Sequence, residues 1–125
     1  MTIKEVSGKF DISQDTLRYY ERVGMIPPVT RTSGGIRDYQ EEDLQWVQLA
    51  ICMRSAGLPV EVMIEYVKLF QEGDTTIPAR LKLLQDQRKN LLQQRKQSDT
   101  MLDRLNYKIA RYELAVETGK LTWDE

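Results

Sequence analysis

The sequence predicts a mainly α fold: a helix-turn-helix carrying a small wing, followed by a long helix patterned for antiparallel coiled-coil pairing. Three observations predict it. Ser13 to Gly24 reads as a short helix with a capping hydroxyl at one end and a left-handed glycine at the other. Arg31-Thr-Ser-Gly-Gly-Ile-Arg-Asp-Tyr39 reads as a hairpin with an arginine on each stem. From Ile77 to Val116 apolar residues recur in alternating steps of four and three.

The elements follow in order. Thr2 to Lys9 forms a first helix, with Ile3, Val6 and Phe10 at helical spacing, and Asp11-Ile12-Ser13 makes the turn. In the second helix Leu17 and Tyr20 pack inward, which leaves Thr16, Arg18 and Tyr19 outward. Pro27-Pro28 stops any continuation, because proline lacks the amide donor and disfavours helix in the residue before it. Val29 to Arg31 then pairs with Ile36 to Tyr39 across Thr32-Ser33-Gly34-Gly35. Glu41 to Ser55 is a third helix, apolar almost all round and therefore central, with Gly57 ending it. Pro59 opens a fourth helix at its first-turn position, with Val62, Met63, Tyr66, Val67 and Phe70 as its inner stripe.

The long helix carries the seam Ile77, Leu81, Leu84, Arg88, Leu91, Arg95, Ser98, Leu102, Leu105, Ile109, Tyr112 and Val116. At ~1.5 Å per residue it is roughly 60 Å long, and alone it cannot bury its stripe. Folded about a point between Arg95 and Ser98, the seam sets Leu81 on Tyr112, Leu84 on Ile109 and Leu91 on Leu102. A parallel in-register pair would instead set Arg88 on Arg88 and Arg95 on Arg95, which repel. The expected organisation is a winged domain over residues 1–72, a dimerisation helix over 76–117 and a short tail over 118–125.

Composition narrows the function. The 125 residues are 41% hydrophobic and 30% charged, enough for one core and an appendage. No apolar run spans a bilayer, and Met-Thr-Ile-Lys-Glu lacks the layout of a secretory signal, so a cytoplasmic protein without membrane partners is expected. One cysteine and no histidine exclude an intrachain disulfide framework and a histidine dyad, and leave one chain short of ligands for a soft-metal site. With no paired carboxylates or phosphate loop either, neither an enzyme nor a bound cofactor or metal is expected.

The net charge of −1 does not advertise a polyanion partner, but its distribution does. From Arg18 to Arg37 four arginines stand against one acid, Glu21. A single exposed arginine is ordinarily just solvated. Arginines on a short helix and on both arms of a hairpin point to double-stranded DNA. Thr16 and Arg18 are assigned nearest the major groove, with Ser13 capping that helix and Tyr19, Arg31 and Arg37 on the phosphate backbone. Tyr39 has two readings, a packed ring or a hydroxyl reaching a phosphate, and is counted among the contact residues. Cys52 also has two readings. It lies on an apolar helix and cysteine is among the most buried residues, yet it is the only soft nucleophile in the chain.

Leu17-Arg18-Tyr19-Tyr20-Glu21, the Gly35 to Tyr39 wing and Glu41-Asp43-Leu44 resemble the MerR family of bacterial transcription factors over essentially the whole chain. Ile36 departs from the tyrosine many members carry there. The resemblance implies a homodimer on inverted half-sites that bends and untwists an overlong promoter spacer for RNA polymerase. Glu65-Tyr66 to Gly73 and Leu105 to Ile109 look like the small aldehyde- and thiol-stress subgroup, the NmlR/AdhR type, whose members carry a cysteine in the region of Cys52. That implies a sensor thiol at Cys52. The competing readings are an architectural DNA-bending protein without an effector, similar to an excisionase, and a coiled-coil adaptor with an incidental wing.

Overall fold

The computed structural model describes residues 1–123. Helices α1 (Ile3–Phe10), α2 (Gln14–Val23), α3 (Glu41–Ser55) and α4 (Val60–Glu72) are followed by a 3₁₀ turn at Asp74–Thr76 and by α5 (Ile77–Thr118). The chain divides into two compact units, Met1–Gln87 and Arg88–Glu125.

Local chemistry sets the boundaries in the first unit. Thr2 caps α1 rather than opening it: its hydroxyl accepts from the Glu5 amide while the Glu5 carboxylate accepts from the Thr2 amide. Asp11 takes the left-handed conformation that ends α1, and the Ser7 hydroxyl donates to the Ile12 carbonyl, closing the turn. Gly24, at φ 88°, ends α2, where a side chain would be strained. Pro59 is the residue before α4, not its first-turn residue as the sequence predicts; it lacks the amide that an N-terminus leaves unpaired.

Val6, Leu17, Met25, Ile26, Val47 and Met63 fill the centre of this unit, and each is at most 1% exposed. They come from α1, α2, the loop after α2, α3 and α4, so one core fixes all four helices. Helix α3 is less enclosed than its apolar sequence predicts. Leu44, Val47 and Ala50 are buried along one stripe, but Gln45, Gln48 and Cys52 face solvent. On α4 the stripe predicted from Val62 to Phe70 is buried at Met63 and Val67, while Phe70 stays exposed with its ring edge-on to Trp46 at 5.0 Å.

The second unit holds the remainder of α5 and the tail. Thr118 ends the helix and Gly119, at φ 75°, turns the chain back. The Tyr107 hydroxyl donates to the Trp123 carbonyl at 2.6 Å, Arg111 Nε donates to the Thr122 carbonyl at 2.8 Å, and the Tyr112 and Trp123 rings meet edge-on. The short tail thus packs along α5, and its last two residues lie outside the described ones. The seam side chains Ile77, Leu81, Leu84, Leu91, Leu102, Leu105, Ile109 and Tyr112 are all exposed on the single chain.

Tyr39 is a core residue, which corrects its place among the expected contact residues. Its ring is 1% exposed and its buried hydroxyl has no hydrogen-bond partner among the described residues. Burial pushes the Tyr39 and Tyr20 hydroxyls above the ordinary phenol value. A raised phenol pKa contributes stability that is complete below about pH 10 and is lost as pH rises through the raised value. Tyr39→Phe removes an unpartnered buried polar atom, so it is expected to stabilise the chain by about 1 kcal/mol at pH 7. It should also shrink the stability lost above pH 10. Urea melts at pH 7 and pH 10.5 measure both, and destabilisation at pH 7 would show instead that the hydroxyl is bonded.

Candidate nucleic-acid interface

The predicted reading helix is α2, and its outward residues are held by short-range bonds. Ser13 Oγ accepts from the Thr16 amide at 3.0 Å and lies 2.8 Å from Thr16 Oγ1, so the cap also orients the Thr16 hydroxyl. Arg18 Nη1 donates to Asp15 Oδ1 at 2.9 Å and Nη2 to Gln14 Oε1 at 3.4 Å, while the side chain remains 43% exposed. This exposed pair adds little stability. It holds the partly exposed guanidinium along the helix surface. Tyr19 is exposed, and the Arg22 guanidinium sits 5.5 Å from its ring centre.

The wing is smaller than the hairpin the sequence predicts. It has a single antiparallel bridge, Arg31 to Arg37, with no strand on either side. Its backbone bonds run from the Thr32 amide to the Ile36 carbonyl at 2.8 Å and from the Asp38 amide to the Thr30 carbonyl at 2.7 Å. Gly35, at φ 83°, closes the loop, and its amide donates to the Thr32 carbonyl. So short a hairpin is not stable alone.

Glu21 supplies what the wing lacks. Its Oε1 accepts from Arg37 Nε at 2.6 Å and stands 3.9 Å from Arg31 Nη2, while its Oε2 accepts from the Val29 amide at 2.8 Å. The carboxylate is only 11% exposed, so these charge-assisted bonds tie α2 to both arms of the wing away from bulk water. The sequence counted Glu21 only as the single acid among four arginines. That isolation was the available signal for its role, since one anion among several cations is placed to organise them.

The predicted contact residues therefore divide. Ser13, Thr16, Arg18 and Tyr19 share α2, with Arg31 and Arg37 brought beside them by Glu21. Arg31 is 44% exposed and also donates to the Gly35 carbonyl; Arg37 is 24% exposed and more firmly held. Tyr39 is withdrawn into the core. Cys52 stands apart on α3 and is exposed, so of its two sequence readings the buried core cysteine is not the one the structure shows. Arg54, two residues on, is engaged with the Leu58 carbonyl at 2.7 Å.

Comparison with known proteins identifies this arrangement. The family model of MerR HTH regulatory proteins matches residues 1–73. The HTH-type transcriptional regulator AdhR of Bacillus subtilis is 53% identical over 93 residues, covering 74% of this chain and 66% of its own length. A crystal structure of a MerR family transcriptional regulator from Listeria monocytogenes superposes with a TM-score of 0.89 at 43% identity, over 95% of this chain and 90% of that one. The structure of HiNmlR, a MerR family regulator lacking the sensor domain and bound to promoter DNA, superposes with a TM-score of 0.86 at 34% identity, over 95% of this chain and 94% of that one. The clamped helix and wing lie within the matched residues, and the chain belongs to the MerR family of HTH regulatory proteins, among its NmlR/AdhR-type members.

Proposed function

We propose that the chain binds an inverted-repeat promoter as a homodimer, distorts the spacer so that RNA polymerase can engage it, and answers electrophiles such as aldehydes through Cys52. The observation that carries the reading is the Glu21 clamp, which sets Arg31 and Arg37 beside the reading helix as one rigid basic surface. Rigid arginines reach phosphates without paying the entropy of ordering a loop at that moment.

Arg18 and Thr16 read base edges in the major groove, while Tyr19, Arg31 and Arg37 take phosphates and fix the register. A two-fold dimer matches inverted half-sites. The exposed seam on α5, palindromic about the point between Arg95 and Ser98, supports an antiparallel partner. A dimer anchored at two half-sites spends part of its binding energy on bending or untwisting the DNA between them. The Cys52 reading is supported by its exposure and by its being the only thiol. Its thiolate would attack an aldehyde carbonyl carbon, forming a C–S bond. The carbonyl π pair would move to oxygen, which takes up the thiol proton, giving a hemithioacetal.

Arg18→Ala is expected to weaken operator binding and to relax preference within the half-site, each by about 1–3 kcal/mol. Arg31→Ala weakens binding evenly across sequences and lowers the salt slope by about one. Arg37→Ala does the same and costs more, because it also opens the Glu21 clamp. Titrations of duplex DNA across a salt series measure these effects, and unchanged affinity in all three variants would remove the interface.

Leu91→Asp with Leu102→Asp is expected to dissociate the dimer, since burying unpaired carboxylates in the seam costs several kcal/mol. Sedimentation of the double variant reads this directly. An intact dimer would mean that the helices pair elsewhere.

Cys52→Ser keeps the size of the side chain and removes most of its nucleophilicity. The variant is expected to fold and bind the operator while promoter output no longer responds to formaldehyde or methylglyoxal. A full aldehyde response in cells carrying it would sink the sensor reading.

A further inference from the structure

The junction between α4 and α5 holds a side-chain clasp that neither the DNA contacts nor the seam explains. Gly73 ends α4 at φ 99° and ψ −170°, a conformation open to glycine, and its carbonyl faces the first turn of α5. That carbonyl lies 3.1 Å from Arg80 Nη2 and 2.7 Å from Thr76 Oγ1. Thr76 Oγ1 is also 2.6 Å from the Leu69 carbonyl, so its one proton bonds to either oxygen of α4's last turn, while the same atom accepts from Arg80 Nε at 3.0 Å. The Arg80 guanidinium completes the clasp by lying 5.3 Å from the centre of the Phe70 ring.

A guanidinium that spends Nε on a hydroxyl, Nη2 on a carbonyl and its face on a ring is held in one orientation. Arg80 and Thr76 are both half-buried, so these bonds are partly shielded from water. Together they fix the direction in which α5 leaves α4. A change of about 10° in that direction displaces a point roughly 20 Å along a helix by about 3.5 Å, close to the rise of one base pair.

We propose that Arg80 is a positioning residue for promoter recognition: through Thr76, Gly73 and Phe70 it sets the half-site separation that the dimer accepts. This rests on the homodimer reading above. The test is selection from a pool of random DNA duplexes by the full chain and by its Arg80→Ala, Thr76→Val and Thr76→Ser variants, with sedimentation of each protein. Arg80→Ala and Thr76→Val are expected to select the same half-site sequence as the unaltered chain. Their discrimination between neighbouring half-site spacings should fall by about threefold to tenfold. Thr76→Ser, which keeps the hydroxyl, should retain the original spacing. If the unaltered chain is a dimer and both disrupted variants keep its spacing preference, even with lowered melting temperatures, the clasp is only a stabiliser and the proposal fails. If the unaltered chain sediments as a monomer, the dimer reading fails and takes this proposal with it.

Discussion

The Glu21 carboxylate is the interaction on which the joint geometry of α2 and the wing depends. The wing has one bridge and a glycine loop, too little to hold a shape in water. Two arginines on facing arms would also push each other apart. One nearly buried carboxylate answers both problems, because it lies between the two guanidinium groups, offsets half of their charge and bonds the backbone at the wing's root. Since Glu21 stands on α2, the same contact sets where the wing lies relative to that helix. Removing its charge would leave Arg37, already partly buried, without a partner, a costlier loss than that of an exposed pair.

This organisation explains how a chain of net charge −1 serves as a DNA-binding protein. Several acids serve the fold rather than repel the ligand. Glu5 caps α1, where bonds from Thr2 hold its carboxyl below the usual range. Asp43 Oδ2 accepts from the Gln40 amide at the start of α3. Arg18 and Arg31 keep their guanidinium groups partly open. Charge balance in the first unit is thus met locally, and the arginines of α2 and the wing stay grouped around one acid, Glu21.

The long helix follows a different logic. Its seam residues are exposed on the single chain, and its stability as a monomeric helix would rest on local pairs such as Lys82 with Asp86, which are weak. The tail, packed through Tyr107, Arg111 and Tyr112, shields only one stretch of it. Most of the apolar stripe is left uncovered, and among the described residues no second helix matches its length.

Helix existence, order and ends were legible in the sequence because they are written in nearest neighbours: Ser13 as cap, Gly24 and Gly57 as stops, the prolines after α2, the steps of four and three along α5. The grouping of arginines on α2 and the wing was legible for the same reason, as like residues on short neighbouring elements. What needed the tertiary structure were the questions of which side of an ambiguous residue meets solvent and who meets whom across the chain. Tyr39 goes inward and Cys52 outward, each against one of its sequence readings, because burial is decided by the elements packed against a residue and not by its own polarity. Glu21 meets Arg37 sixteen positions away, and Arg80 meets the end of the preceding helix. Periodicity carries no information about such pairs. The Glu21 pair forms because a core of residues from four helices and a loop brings the backbones close enough for the carboxylate to reach, and the Arg80 contacts form where the chain breaks at Gly73 between two helices.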